Sequence, residues 1–148
     1  MSHKNWRRTF AGGVLMVEAI ICLMAARFAL ACFSFQQIAG FVSRPVRRSQ
    51  LSGRRRQIAL KTVKRAIFNV WRHLPLKTTC FHRALAAHLM LRRRAVGTTL
   101  YYGAVLLPDR GLTGHVWLRD GLEFVVGEEA AKGHRQLASY PDGGCIIK

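Results

Sequence analysis

The spacing of the hydrophobic positions changes along the chain, and each spacing predicts a different kind of element. The segment from Arg7 to Phe35 is largely apolar, and we expect one or two apolar helices there. Between Leu60 and Leu74 the apolar residues recur every three or four positions, which predicts an amphipathic helix that ends before Pro75. Beyond Gly97 the period becomes two, which is typical of β-strands. The pattern therefore predicts helices first and a sheet afterwards.

A further helix is predicted between the amphipathic helix and the strands. It should begin near Thr79 or Cys80 and continue to about Arg94. The threonine hydroxyls before the cysteine can cap its first amides, and the arginine run that ends at Arg94 suits the negative end of the helix dipole. Gly97 is a suitable terminator. Start and end signals thus agree on one helix.

The period-two part of the chain predicts a three-stranded antiparallel meander. Its turns are marked by the segment from Pro108 to Gly111 and by the dipeptide of Asp120 and Gly121, which are residues favoured in tight turns. The predicted strands cover residues 98–107, 112–118 and 122–126. We expect the chain from Ala130 onwards to be mostly irregular.

Composition adds the expectation of an anionic partner. The 148 residues include 24 Lys+Arg against 7 Asp+Glu, and the formal net charge of +17 favours an acidic peptide, an anionic lipid surface or nucleic acid. The length and a hydrophobic share of 50% allow a domain with its own core. The basic stretch around Pro45 and Gly53 is the expected boundary between an apolar and basic N-terminal region, 1–53, and a second domain, 54–148.

The apolar N-terminal segment raises the question of a membrane. Glu18 and Arg27 interrupt it, and its longest charge-free part, Phe28 to Ser43, has roughly 16 residues, whereas a spanning helix needs about 20. A charged side chain at the bilayer centre costs roughly 2.5–3.5 kcal/mol. We therefore expect helices that cover the domain or lie on a membrane face, and a spanning helix stays open as the alternative.

The cysteines bear on both compartment and chemistry. The four cysteines of the chain are scattered without paired spacing, which favours a reducing, cytoplasmic setting over a disulfide framework or a zinc site. Cys80 stands out because a helix is predicted to begin there. A helix N-terminus stabilises a thiolate and offers amides to an oxyanion, so Cys80 is a candidate nucleophile. A buried and inert cysteine would give the same pattern, and that alternative stays open.

His115 is the candidate base for such a nucleophile. It lies in the segment GHVWL on the predicted central strand, and imidazole accepts a thiol proton near neutral pH. With a two-residue turn after β-strand two, His115 lies opposite Val126 and diagonal to Glu128, which can then orient the imidazole. Asp120 lies too far along the strand for this role. Glu129 becomes the candidate if the turn has three residues.

Five segments carry a resemblance to a known family. In chain order they read CFHRALA, LRRRAVG, YYGAV, GHVWL and VVGEE. Over Val63 to Glu129, their order and spacing resemble the lasso-peptide leader peptidases, which are transglutaminase-like cysteine proteases related to the microcin J25 processing protein. Cys80 and His115 match the nucleophile and the base of that family, and Glu128 matches its acid, where Asp is more usual.

This resemblance implies a fold, a reaction and partners. The fold would be α+β, with a papain- or transglutaminase-like core in which a catalytic helix packs on a small antiparallel sheet beside apolar N-terminal helices. The chain would be a bacterial cysteine peptidase of antibiotic biosynthesis. It would remove the leader peptide from a ribosomally made precursor before a separate ATP-dependent cyclase closes the lasso ring. Since no strand-rich segment precedes Thr98, we expect the stand-alone protease of a split system, with a separate leader-recognition protein.

Two other classes of function stay open. A non-catalytic, basic assembly factor held at the membrane by its N-terminal helices would explain both the charge and the apolar segment. A nucleic-acid binder would explain the charge alone, but the basic residues lack interleaved aromatics and no DNA-reading motif is found, so we expect no nucleic-acid partner. The preferred prediction is a cytoplasmic peptidase that lies on the inner face of the membrane and needs neither a metal nor a cofactor.

Overall fold

A computed structural model describes residues 3–44, 53–73 and 78–140. It shows the predicted α+β order, with helices before the sheet. The helices are α1 (His3–Cys32), α2 (Phe35–Val42), α3 (Arg54–His73), α4 (Cys80–Arg93) and the short α5 (Glu128–Ala131). The strands are β1 (Thr99–Leu107), β2 (Gly111–Asp120), β3 (Glu123–Val126) and β4 (Arg135–Tyr140). The apolar, amphipathic and cysteine-led helices are thus confirmed, while Pro75 lies outside the described residues.

The sheet is antiparallel and has the strand order β3-β2-β1-β4. The predicted meander is confirmed in its first three strands. The prediction of an irregular chain after Ala130 is wrong, because β4 pairs with β1 at the edge of the sheet. In the sequence RQLASY of β4 only Ala138 is fully buried, so the alternation that reveals a strand is weak. β1 and β2 are therefore the two inner strands.

The turn between β2 and β3 lies one residue later than predicted. Asp120 pairs with Glu123, so Gly121 and Leu122 form the two-residue turn. Gly121 has a φ of +57°, a left-handed conformation that glycine adopts without steric penalty. Asp120 stays in the strand, where its carboxylate accepts hydrogen bonds from the guanidinium of Arg56 on α3, one of them 2.6 Å long.

A bulge shifts the pairing further along the same hairpin. Arg119 pairs with Phe124 but Leu118 pairs with Val126, so β3 carries one extra residue at this point. The predicted pairing of His115 with Val126 is therefore wrong, because Leu118 takes that place. The strand β3 ends there, and the histidine lies beyond its paired part.

The core lies between the helices and one face of the sheet, with α4 at its centre. Five consecutive residues of α4, from Ala84 to His88, are buried, which means that this helix is covered all round rather than on one stripe. Its neighbours are α1, α3 and β2. The buried positions of α3 follow the predicted period and are Leu60, Val63, Ala66, Ile67 and Val70.

The helix α1 belongs to this core and also has the composition of a membrane helix. By length and composition alone, Gly12–Cys32 could cross a membrane. One of its faces is nevertheless buried, and Arg94 at the end of α4 donates hydrogen bonds of 2.6 and 2.8 Å to Glu18. This hydrogen bonding holds the pKa of Glu18 below its usual range. The fold is compatible with a soluble or a membrane-associated protein, and the division at residue 53 stays a prediction.

Removal of the Glu18 carboxylate should destabilise the fold. In Glu18→Ala the guanidinium of Arg94 stays partly buried without its anion, and we expect a loss of roughly 2 kcal/mol in the free energy of unfolding. Urea unfolding at neutral pH measures it. Arg93→Ala is the matched control, since Arg93 is largely exposed and lies 3.8 Å from the same carboxylate. Equal losses in the two variants would contradict a specific role for Arg94.

His88 should make the fold sensitive to mild acid. Its side chain is 1% exposed, its Nδ1 lies 3.0 Å from Thr98 Oγ1, and burial, helped by Arg92, lowers its pKa from 6.5 to about 4. The unfolded chain therefore takes up this proton first as the pH falls. Between pH 6.5 and 4, this residue should cost roughly 1.4 kcal/mol of stability per pH unit.

Urea unfolding of wild type and His88→Gln between neutral and acidic pH checks this expectation. The variant should lose part of the pH slope, even if its stability at neutral pH is lower. His73→Gln is the control, because His73 is exposed near the end of α3. An unchanged slope in His88→Gln would assign the acid sensitivity to other groups.

Candidate active site

Cys80 is the first residue of α4, with Thr79 as the N-cap. The cap is closed by a residue that the sequence pattern did not single out, because the backbone N–H of Thr79 donates a 3.0 Å hydrogen bond to Nδ1 of His82. His82 thus takes the place that Glu or Gln holds in a capping box. Burial, followed by the charge of Arg27, lowers the pKa of His82, which keeps Nδ1 free to accept this bond.

The Cys80 side chain is half-buried and packs against the edge of the core. It is a free thiol, as are Cys22 and Cys32. Cys22 is buried and Cys32 is exposed, so the three described cysteines differ in their exposure to solvent. Cys80 alone combines partial exposure with the N-terminal end of a helix, where unpaired amides and the helix dipole favour an anion.

His115 lies on the inner strand β2, which packs against α4. Burial lowers the pKa of His115, and electrostatic repulsion by the neighbouring His134 and Arg83 lowers it further. The ring lies 5.3 Å from that of His134 and stacks near Trp117 at 6.4 Å between centroids. His115 is therefore neutral at physiological pH, which is the state in which imidazole accepts a proton.

A cavity of about 400 Å³ adjoins His115 between α3, α4 and the end of β3. Its walls are Lys64, Ile67, Phe68, Trp71, Arg83, His115, Phe124, Val125, Val126, Gly127, Glu128 and Glu129. On its rim, Lys64 Nζ donates a hydrogen bond of 3.1 Å to the carbonyl of Phe124, which joins α3 to β3. The cavity combines an apolar wall with groups of both charges, as expected of a ligand-binding site.

Arg83 connects this cavity to the cysteine helix. It lies three residues after Cys80, so both side chains lie on the same side of α4, and its guanidinium stacks over the Trp71 ring at 4.5 Å. Within the described part of the chain, the buried Nε of Arg83 and Nε2 of His115 have no hydrogen-bond partner. Two buried polar atoms at one cavity are thus available to a bound molecule.

The carboxylates at the cavity are Glu128 and Glu129, which begin α5 and are exposed. The chain reaches them through Gly127, whose φ is +86° and where a Cβ would lie 2.9 Å from the Cβ of Trp117. Only glycine permits this close crossing. Asp120, by contrast, lies at the far end of β2 and is bound to Arg56.

The structure thus brings His115, Glu128 and Glu129 to one cavity and leaves Cys80 outside its wall, one helical turn from Arg83. In the described ranges, no hydrogen bond joins Cys80, His115 and Glu128. The same ranges contain no group of three or more His, Cys, Asp or Glu that could hold a metal ion. The triad of Cys80, His115 and Glu128 therefore stays a prediction. Asp120 has another partner, because its carboxylate is bound to Arg56.

Comparison of the sequence with models of known protein families identifies the superfamily of this chain. The model of the transglutaminase-like superfamily matches residues 20–139, which is most of the chain. The chain belongs to the transglutaminase-like superfamily. Members of this superfamily are usually cysteine peptidases or transferases, and their fold agrees with a papain-like core. Neither the curated proteins nor the solved structures include a significant match to the chain.

The region that matches the transglutaminase-like model is longer than the region of sequence resemblance, which covers Val63 to Glu129. It begins inside α1 and ends inside β4, so it includes the strand that the sequence pattern missed. All of α2 and the C-terminal part of α1, residues 20–32, therefore lie within the matched region. The narrower identity, a leader peptidase of lasso-peptide biosynthesis, stays a prediction.

The reactivity of Cys80 tests its assignment without knowledge of the substrate. We expect iodoacetamide to alkylate Cys80 at least about tenfold faster than the more exposed Cys32 at neutral pH, because the helix end and His115 favour the thiolate. Peptide mapping by mass spectrometry gives both rates in one sample. In His115→Ala the rate at Cys80 should fall towards that of Cys32. Slower alkylation of Cys80 than of Cys32 in wild type would indicate a structural cysteine.

Proposed function

We propose that this transglutaminase-like protein is a cysteine peptidase that removes the leader peptide from a ribosomally made lasso-peptide precursor. The observation that supports it most is the position of Cys80 at the N-terminal end of α4, which packs against the strand that carries the neutral His115. The sequence resemblance over Val63 to Glu129 supports the choice of substrate.

The proposed reaction begins with proton transfer from the Cys80 thiol to His115. The thiolate attacks the carbonyl carbon of the scissile peptide bond, and the backbone amides of the first turn of α4 stabilise the oxyanion. The imidazolium then protonates the leaving nitrogen, which frees the amine of the core peptide. Water, deprotonated by His115, hydrolyses the thioester and releases the leader with a new carboxylate. Each proton taken up by the imidazole is thus returned, and no cofactor is needed.

Glu128 is the proposed orienting acid. A carboxylate beside the imidazole fixes its tautomer and stabilises the imidazolium that forms during the reaction. Glu128 and Glu129 both line the cavity that His115 adjoins, and Glu128 holds the position that the family resemblance assigns to the acid. Catalytic hydrogen bonds are often formed only when substrate binds, which is compatible with their absence between these described side chains.

The partners follow from this activity. We propose that a separate recognition protein presents the leader to the peptidase in the cytoplasm, and that an ATP-dependent cyclase then joins the freed amine to an acidic side chain of the core peptide. The net charge of +17 supports attraction of an acidic leader or recognition protein. The second candidate, a non-catalytic assembly factor at the membrane, is favoured by the apolar surface of α1 but assigns no role to the Cys80–His115 pair.

Cleavage of a precursor tests the proposal. A candidate precursor peptide is incubated with its recognition protein and with wild type, Cys80→Ala or His115→Ala, and the products are identified by mass spectrometry. We expect a free leader with wild type only, and a loss of at least about a thousandfold in rate for either variant. Cleavage by Cys80→Ala, or no cleavage by wild type while the partner is shown to be bound, would contradict the peptidase assignment.

The same assay separates the carboxylates. Glu128→Gln should lower kcat by about ten- to a hundredfold, because the imidazole loses its orienting charge, while Glu129→Gln stays close to wild type. Asp120→Asn should lower stability through the loss of its pairing with Arg56 and leave kcat of the folded protein unchanged. A larger effect of Glu129→Gln would reassign the third residue.

A further inference from the structure

The face of α1 that points away from the core carries a row of large apolar side chains in solvent. They are Val14, Val17, Ile21, Met24 and Phe28, each between 48 and 65% exposed. Their spacing alternates between three and four residues, which places them along one side of the helix over about 21 Å. We call this row the α1 stripe. Monomeric soluble proteins rarely leave a contiguous apolar surface of this kind uncovered, so it is expected to meet a partner.

The other face of α1 limits what that partner can be. Ala19, Leu23 and Ala26 are buried in the same core as α3 and α4, and Glu18 is held by Arg94. A helix that crossed a bilayer would have to take these residues out of the core and break the ion pair. The α1 stripe is therefore available only while α1 lies along the surface of the folded protein.

The charge of the protein decides between the remaining partners. With a net charge of +17, two copies that met stripe to stripe would repel each other, whereas an anionic surface would attract the protein. Arg27, exposed beside Phe28, adds a positive charge at one end of the stripe. Apolar side chains in a row do not suit the phosphates or base edges of nucleic acid. Apolar side chains next to basic ones are the combination that binds the interface of anionic lipid bilayers.

We infer that the α1 stripe inserts into the interfacial region of an anionic lipid bilayer, with α1 parallel to the membrane surface and still packed on α4. The protein is then held on the membrane by one face of a core helix and does not span it. This inference does not depend on the proposed peptidase activity, since it uses neither Cys80 nor His115. Cys80→Ala should bind lipid as wild type does.

Vesicle binding of the full-length protein tests this inference. Purified protein is sedimented with vesicles of phosphatidylcholine alone or of phosphatidylcholine mixed with phosphatidylglycerol. We expect binding to the mixed vesicles, weakened at least about tenfold in the triple variant Ile21→Gln, Met24→Gln and Phe28→Gln. The matched control changes Leu106, Leu112 and Leu122 to Gln, because these side chains are at least 75% exposed but lie on the sheet hairpins. The control should bind as wild type does.

Several results would overturn the inference. Equal binding by wild type and both triple variants would mean that charge alone attracts the protein. The inference would also be wrong if folded wild type bound to neither kind of vesicle. A wild-type dimer that the stripe variant converts to a monomer would assign the surface to a second copy. Retention in the membrane after alkaline carbonate extraction would indicate a spanning helix. Circular dichroism checks folding, and the single variant Phe28→Gln replaces the triple variant if that one does not fold.

Discussion

The burial of α4 on all sides is the constraint on which the rest of the structure depends. Three alanines in its centre, Ala84, Ala86 and Ala87, let α1, α3 and the sheet approach closely, and each of these elements then covers a different part of the helix. The two ends of α4 are consequently the parts that remain partly accessible. One end presents Cys80 beside the strand of His115, and the other presents Arg94 to Glu18 of α1. A single buried helix thus fixes both the thiol and the N-terminal helix.

The protonation of the site is controlled first by burial. Burial of its ring makes protonation of His115 unfavourable, and repulsion by the neighbouring His134 and Arg83 adds to this effect. Such surroundings favour a neutral imidazole. Membership of the transglutaminase-like superfamily agrees with this arrangement, but a fold shared by peptidases and transferases does not select a substrate. Selection of a substrate depends on side chains such as those of the cavity that Arg83 and His115 line.

Much of this fold could be predicted because several segments have one buried side and one exposed side. The period of α3 arises in this way, and the cap and the arginine run bounded α4. The strands β1 and β2 were predicted from their β-forming residues and turn signals, because burial does not alternate along them and Val116, Trp117 and Leu118 are all buried. The strand β4 could not be predicted, since its pairing with β1 is a non-local contact that leaves only Ala138 fully buried. The bulge opposite Leu118 could not be predicted either, because a single extra residue in β3 changes the strand pairing without changing the pattern of apolar and polar residues.

The site was predictable in its parts and not in its assembly. A thiol at a helix start and a histidine in a strand are local features, and the structure places both as expected. The cap formed by His82, the stacking of Arg83 on Trp71 and the pairing of Asp120 with Arg56 depend on side chains brought together by the fold.

The apolar length of α1 has a consequence for the order of folding. Arg94 follows Glu18 by 76 residues, so α1 emerges during synthesis apolar on two faces and without the helix that covers one of them. Until α4 is made, both apolar faces of α1 are exposed, which makes the growing chain prone to aggregation.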